Sequence, residues 1–172
     1  MNTVRLTVAG FVAVTLVQFV AAATPTTQTQ LERNKALAIA FTETLHNQHD
    51  ATKAFTQYAT STFHHHAQWS GQHDTPEAIV KHDIESMNNV GKQMPNSRRE
   101  IKQVIAEGNL VMVHSHALNG GGVGEPYKNP KKGNVVGPKT GEQVIDIYRI
   151  ENGKIAEHWE VSQPTTDLED VY

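Results

Sequence analysis

The sequence predicts an α+β fold in which helices come first and an antiparallel sheet follows. Apolar residues recur at helical spacing in the first half of the chain, and after Pro95 the period changes from about 3.6 to 2. Two tight-turn sequences, Glu107-Gly108-Asn109 and Asn152-Gly153, each separate a pair of alternating segments, as in β-hairpins. Helices followed by a strand meander are typical of the α+β class.

The first 23 residues have the features of a secretory signal peptide. Arg5 supplies a short positive segment, residues 6–20 are mostly apolar, and residues 21–23 are a small-residue alanine cleavage site. The apolar run is shorter than the ~20 residues that a membrane-spanning helix needs. An uncleaved N-terminal anchor is the alternative interpretation. We therefore expect a secreted or periplasmic protein that has no membrane contact once residues 1–23 are removed.

Export is expected to remove the segment that ends at Ala23, because the alanine triplet offers the small side chains that a signal peptidase accepts. N-terminal sequencing of the exported protein should then start at Thr24. Exported material that begins at Met1 would contradict the prediction.

Length and composition fit one domain without a disulfide framework. The 172 residues carry a formal net charge of −3 and no cysteine, so stability outside the cell must come from the core alone. A mildly acidic chain argues against nucleic acid as a partner. We expect a disordered leader at residues 24–30, one folded domain at 31–164 and a C-terminal tail at 165–172.

Three segments of the first half carry helix signals. Residues 31–46 have apolar side chains at spacing four, namely Leu37, Phe41 and Leu45. Asp50 can cap a shorter second helix. Thr75-Pro76 begins a third helix, because threonine caps the end and proline suits the first turn. Gly91 is a suitable end for it.

Four strands are predicted in the second half, at residues 101–106, 110–118, 144–150 and 155–163. Between the second and the third lies a connection at 119–142 that contains seven of the twelve glycines. A connection of this length is a lid, a binding loop or a disordered segment.

Alternation along the last three strands predicts two faces. Even positions collect a mixed polar and apolar set, whose candidate pocket residues are Met112, His114, His116, Asp146, Tyr148, His158 and Glu160. Odd positions are mostly apolar, namely Val111, Val113, Ile145, Ile147, Ile155, Trp159 and Val161. One face must cover the core or a pocket, and the other is free to pack against a second subunit. Parity alone leaves open which face does which.

The final hairpin resembles a known family. Residues 144–155, followed by Glu157-His158-Trp159-Glu160, are similar to the signature hairpin of SnoaL-like proteins, which belong to the nuclear-transport-factor-2-like superfamily together with ketosteroid isomerase and scytalone dehydratase. Residues 104–108 and 113–116 resemble the preceding hairpin. Residues 58–67 resemble the Tyr-x-Gln-His-Asn-Pro region of the family, with His65 in the histidine position.

This resemblance implies a cone-shaped fold, in which a curved antiparallel sheet wraps around N-terminal helices and leaves a pocket at the open end. By the same analogy the even face lines the pocket, Asp146 lies near the oxyanion-hole aspartic acid of ketosteroid isomerase, and His65 lies near the position of its catalytic base. The resemblance also implies a pocket for a small hydrophobic or carbonyl-containing molecule and chemistry that needs no cofactor.

The resulting candidate catalytic residues are His65, His116, Asp146 and His158, which could move protons near neutral pH. A carboxyl in the middle of a Val-Ile-Asp-Ile strand is costly unless it is paired or functional. Burial would raise the pKa of Asp146 and make it a proton or hydrogen-bond donor. The alternative is a structural aspartate bonded to a neighbouring histidine. The candidate substrate-binding residues are Trp69, Met112, His114, Tyr148 and Glu160, whereas His46, His49, His73 and His82 are interpreted as solvated.

Two functions therefore remain open for the predicted pocket. The first is an exported enzyme for isomerisation, aldol-type cyclisation or dehydration beside a carbonyl. The second is an exported binding protein without turnover, since a fold does not settle function. A metal-binding variant is a third hypothesis, because His114 and His116 could ligate a metal together with Asp146 and either His158 or His65. We expect no metal, and we expect a homodimer through the odd face, with Trp159 at the interface.

Overall fold

The computed structural model describes residues 27–66, 75–119 and 141–165, together with the backbone of 126–128 and 135–138. The helices are α1 Gln28–Thr42, continued by a π-helical turn Glu43–Asn47, α2 Ala51–Tyr58 and α3 Pro76–Gln93. The strands are β1 Ala59–His65, β2 Arg98–Glu107, β3 Leu110–Leu118, β4 Pro126–Lys128, β5 Val135–Pro138, β6 Gly141–Glu151 and β7 Lys154–Thr165. The predicted signal peptide, Trp69 and most of the 119–142 connection lie outside the described residues.

The helix starts predicted from capping residues are confirmed. The Asp50 side chain accepts a hydrogen bond from the Lys53 backbone at 2.8 Å, and the Thr75 hydroxyl accepts one from Ala78 at 3.2 Å. α3 does not end at Gly91 but continues to Gln93. A Cβ at Gly91 would lie 2.8 Å from the Cβ of His49, so this glycine permits close packing instead of ending the helix. None of the helices in the described part of the chain is long and apolar enough to cross a membrane.

The predicted α+β class is confirmed, with a curved five-stranded sheet in the order β1-β7-β6-β3-β2. Both predicted hairpins are present. Asn152 and Gly153 have φ of 52° and 75°, as a two-residue hairpin turn requires. The sheet is antiparallel as expected from β2 to β7, and the edge strand β1 adds one parallel pairing with β7. β4 and β5 form a separate two-stranded sheet.

Strand register determines the faces of the sheet. Val113 of β3 lies opposite Asp146 of β6, which lies opposite Glu160 of β7, and opposed residues of an antiparallel pair share a face. The face that packs on the helices therefore carries odd positions of β3 and even positions of β6 and β7. The even positions of β3, namely Met112, His114 and His116, lie on the opposite, convex face with Ile145, Ile147 and Trp159. The single even face predicted for all three strands is wrong.

The core lies between α1, α2 and the concave face of the sheet. Phe41 of α1 makes edge-to-face contacts with Phe55 and Tyr148, at ring-centroid distances of 5.4 and 5.6 Å. Phe55 packs edge-on against Phe63 of β1 at 5.3 Å. Offset and edge-to-face aromatic pairs of this kind add to the free energy of burial. They also fix the inner wall of the cavity described next.

Candidate active site

A cavity of about 250 Å³ lies between the helices and the concave face of the sheet. One part of its wall is apolar and includes Phe41, Leu45, Phe55, Phe63, Met87 and Val90. Another part is polar and includes His46, His65, Asp83, Arg99, His158 and Glu160. An apolar pocket with a few convergent polar groups is the usual form of a small-molecule site.

Asp146 and His158 form a buried pair at the polar wall. The Nε2 of His158 lies 2.8 Å from Oδ1 of Asp146, and the Asp146 side chain is fully buried. The His158 ring also stacks on Tyr148, with centroids 4.8 Å apart and planes 20° apart. A neighbouring histidine, which the alternative interpretation of the sequence named as the partner of Asp146, is therefore its partner in the structure. The ring orientation of His158 is fixed from two sides.

The charge of Asp146 differs from the one expected for a buried carboxyl. Burial raises the pKa of Asp146, but the hydrogen bond and the charge of His158, together with the charge of Arg99, outweigh burial and lower it below the ordinary value. Asp146 is therefore a carboxylate and not the neutral acid that the sequence analysis expected. A carboxylate orients His158 and accepts its proton in a hydrogen bond, but it cannot donate one to a substrate.

His65 faces His158 from the adjacent strand. The two residues are in register between β1 and β7, and their ring centroids lie 4.6 Å apart. The Nδ1 of His65 lies 3.5 Å from Oδ2 of Asp83, a fully buried residue of α3. Two imidazoles, each next to an aspartate, therefore meet at one side of the cavity.

A third ionic pair is formed by Arg99 and Glu160, with 3.3 Å between Nη2 and Oε2. His46 borders the cavity nearby, and removal from bulk water together with the charge of Arg99 lowers the pKa of His46 to about 3. Its imidazole is therefore neutral at physiological pH, and its interpretation as a solvated histidine is wrong.

The structure brings together only some of the candidate residues. His65, His158 and Glu160 border the cavity, and Asp146 and Tyr148 lie directly behind His158. His116 is buried on the convex side of β3, where its Nε2 lies 3.4 Å from the Thr165 hydroxyl. Met112 and His114 share that side. The predicted convergence of His116 with Asp146 is wrong, because β3 pairs with β6 in a register that places even opposite odd positions.

Sequence patterns did not predict several polar residues of the cavity wall, among them His46, Asp83 and Arg99. Asn34, Ala38 and Thr42 are buried at spacing four, and His46 continues this stripe. Asp83 lies within the apolar face of α3, where a charge is a signal for a pocket. Arg99 had no local signal, because it lies before the predicted start of its strand.

Among the residues that the structure describes, Asp146, His158 and Glu160 form a group that could hold a metal ion, since one donor atom from each lies within 4.8 Å of the others. The protein is nevertheless expected to need no metal. His158 already bonds Asp146 and Glu160 already pairs with Arg99, whose positive charge opposes a cation. Metal analysis after dialysis should find no stoichiometric zinc, iron, copper or manganese. One bound equivalent that is lost in an Asp146→Asn/Glu160→Gln variant would contradict this.

Comparison with known proteins agrees with this architecture. A family model described as SnoaL-like polyketide cyclase matches residues 36–170. No curated protein matches the chain. One similar solved structure is TsrD from Streptomyces laurentii, which is 14% identical, covers 77% of this chain and 89% of its own, and has a TM-score of 0.54. Another is a SnoaL-like polyketide cyclase from Agrobacterium tumefaciens, which is 13% identical, covers 76% of this chain and 91% of its own, and has a TM-score of 0.51. A cystatin-fold protein from Novosphingobium aromaticivorans is 18% identical, covers 74% of this chain and 97% of its own, and has a TM-score of 0.52. At these identities the structures support the fold alone, and the match of the family model shows that the chain belongs to the SnoaL-like polyketide cyclase family.

Proposed function

We propose that this chain catalyses proton transfer at a carbon beside a carbonyl group of a small molecule held in the cavity, with His158 exchanging the proton. The observation that carries the proposal is the buried 2.8 Å bond between His158 and Asp146 at the cavity wall. Isomerisation, aldol-type cyclisation and dehydration share this step, and none of them requires a cofactor for it. The proposal includes export of the protein, as the N-terminal residues predict.

The orientation of His158 supports a role as base. In the tautomer in which Nε2 donates its hydrogen bond to the Asp146 carboxylate, Nδ1 is the ring nitrogen that can accept a proton. When Nδ1 takes a proton, the carboxylate stabilises the imidazolium that forms. Asp146 is in this proposal a positioning residue, while His158 is the group that reacts.

His65 supports the return of the proton. An isomerase removes a proton from one atom and delivers a proton to another, so a second imidazole within reach of the same substrate is useful. The His65 ring lies 4.6 Å from that of His158 and next to Asp83. We therefore propose that His65 acts on the substrate as the second acid–base group.

Cavity size and lining support a small substrate. An apolar cavity of roughly 150 Å³ can hold benzene, so about 250 Å³ suits a molecule with one or two rings. Phenylalanine side chains form much of the apolar wall, which favours a hydrophobic body with one polar, carbonyl-bearing end.

Proton exchange tests the proposal without knowledge of the natural substrate. Cyclohexanone and 1-indanone in D₂O should lose their α-proton NMR signals faster with the protein than without it. His158→Gln should remove this acceleration. His114→Gln is the matched control, because His114 lies on the convex face away from the cavity. Binding of ketones without exchange would instead assign the cavity to a binding protein.

The proposed homodimer is formed through the convex face. Ile105, Ile147 and Val161 of this face are 48%, 36% and 66% exposed, and Ile145 and Trp159 lie beside them in register. Apolar side chains that are adjacent and exposed favour association with another copy of the chain.

Val161→Glu is expected to shift the protein from dimer to monomer, because it places a charge in an apolar interface. Val161 is a better target than Trp159, whose ring stacks on His66 at 4.4 Å and supports the end of β1. Sedimentation velocity at several concentrations measures the change, and Ser162→Glu, on the opposite face of β7, is the control. A wild type that sediments as a monomer at high concentration would refute the dimer.

A further inference from the structure

We infer that Arg99 stabilises the negative oxygen that forms when the substrate loses its proton, and that the site therefore selects molecules whose carbonyl oxygen can become an enolate. This inference rests on the proposed function and deepens it. Proton removal beside a carbonyl turns the C–H electron pair into a C=C bond and places the electrons of the C=O π bond on oxygen. That oxygen needs a hydrogen-bond donor or a positive charge.

Asp146 cannot serve as this donor. Its carboxylate is ionised and its Oδ1 accepts a bond from His158, so it would repel an enolate oxygen. A different group at the cavity wall must provide the donor, and it must be positively charged or carry a free N–H or O–H.

The backbone of Arg99 is held in place by the π-helical turn. Asn47, the last residue of that turn, accepts a hydrogen bond from the Arg99 N–H at 2.7 Å. Its side-chain amide donates to the Arg99 carbonyl at 3.0 Å. π-helical turns inside helices occur frequently at functional sites. Here the side chain of Asn47 hydrogen-bonds the π-helical turn to the start of β2 and holds the backbone of Arg99 in place.

The two terminal nitrogens of the Arg99 guanidinium differ in their hydrogen bonding. Nη2 lies 3.3 Å from Glu160, while Nη1 is buried and has no hydrogen-bond partner among the described residues. The side chain is only 11% exposed, and the residue borders the cavity. A buried N–H without a partner is costly, and a substrate oxygen would remove this cost. The neighbouring Arg98 is different, because it is half exposed and bonds Glu100.

The positive charge next to His46 at this end of the cavity comes from the guanidinium of Arg99. His46, which lies near Arg99, is neutral because burial and the charge of Arg99 lower its pKa to about 3. Glu160 pairs with Arg99 at 3.3 Å. An enolate oxygen would share the guanidinium with Glu160. In the return step the oxygen gives its electron pair back to the C=O bond as the carbon takes a proton, so no oxidant or reductant is needed.

The probe for this inference is 4-nitrophenol, a one-ring molecule whose phenol and phenolate forms absorb at different wavelengths. The wild type should bind the phenolate, so the bound probe should ionise at a pH at least one unit lower than the free probe. Arg99→Gln should weaken phenolate binding at least tenfold. Glu160→Gln should strengthen it, because the competing carboxylate is lost. Arg33→Gln, which removes an exposed arginine of α1, should leave binding within twofold.

Opposite effects of the two charge variants are the decisive outcome, because a merely structural ion pair would make both variants weaker binders. If Arg99→Gln fails to fold, the Arg99→Gln/Glu160→Gln double variant leaves no unpaired charge and should bind phenolate as weakly as expected for Arg99→Gln. Phenolate binding that is unchanged by loss of Arg99, or absent from the wild type, would overturn the inference. His158→Gln separates the two proposals, because it should abolish proton exchange and retain Arg99-dependent phenolate binding.

Discussion

Asp146→Asn is expected to lower the rate of proton exchange by roughly 10²–10⁴-fold, the range that general acid–base catalysis contributes. The asparagine amide can donate a hydrogen bond to Nε2 of His158. This would move the ring proton to Nδ1, the nitrogen that must be basic. The variant keeps the shape of the side chain, so its free energy of unfolding should change by only ~1–2 kcal/mol. NMR exchange rates and urea unfolding of the same samples measure both quantities.

A matched comparison separates the role of Asp146 from general damage to the sheet. His114→Gln changes a polar side chain of the neighbouring strand on the convex face, and it should keep the wild-type exchange rate. If Asp146→Asn exchanged protons at the wild-type rate, the proposed function of the Asp146–His158 pair would be refuted. A loss of more than about 4 kcal/mol would instead identify Asp146 as a structural residue, because losses of that size indicate a broken buried network.

The structural elements were predictable where the signal is local. A cap such as Thr75 depends on residues within one helical turn, and the Asn152-Gly153 turn depends on two residues. That short turn also sets the register of β6 with β7, so parity correctly placed Asp146 and Glu160 on one face. Strand β1 was not predicted, because its sequence at 59–65 is mostly polar. Its buried positions do not alternate with exposed ones along the whole strand, so the period of two is missing.

The face of β3 could not be predicted for a physical reason. Alternation relates a residue to others on its own strand, whereas the relation to the next strand depends on register. The connection between β3 and β6 is long (residues 119–140) and does not fix that register. Alternation therefore predicted His116 in the pocket, although the pairing of His116 with Gln143 puts it on the convex face.

The charge state of Asp146 was also beyond local patterns. Burial was correctly expected from the Val-Ile-Asp-Ile sequence, but the sign of the pKa shift depends on the neighbours. His158 comes from the next strand and Arg99 from β2, and together they reverse the effect of burial. Only the folded chain brings these three groups together, and their combined effect makes Asp146 a positioning residue and not a proton donor.

Acid is expected to destabilise the protein through His46, well above the pH at which carboxylates titrate. The pKa of His46 falls from its ordinary 6.5 to about 3 in the folded state. Between these pH values His46 binds a proton in the unfolded chain but not in the folded chain. The free energy of unfolding therefore falls as pH decreases from 6.5 towards 3. Integration over this range gives a loss of about 2 kcal/mol at pH 5 and about 3 kcal/mol at pH 4. The pKa of His116 is also lowered by burial, which adds a loss of the same sign.

His46→Gln should flatten the upper part of the stability curve, because glutamine does not titrate. Urea unfolding between pH 7.5 and 4.5 should show a much smaller loss for this variant than for the wild type. The control is His64→Gln, which removes an exposed imidazole and should keep the wild-type curve. The lowered pKa of Asp146 acts in the same direction at lower pH, since the stability that a depressed carboxylate provides is lost as pH falls through its folded pKa. A steep loss between pH 6.5 and 5 that persists in His46→Gln would show that His46 is not its origin.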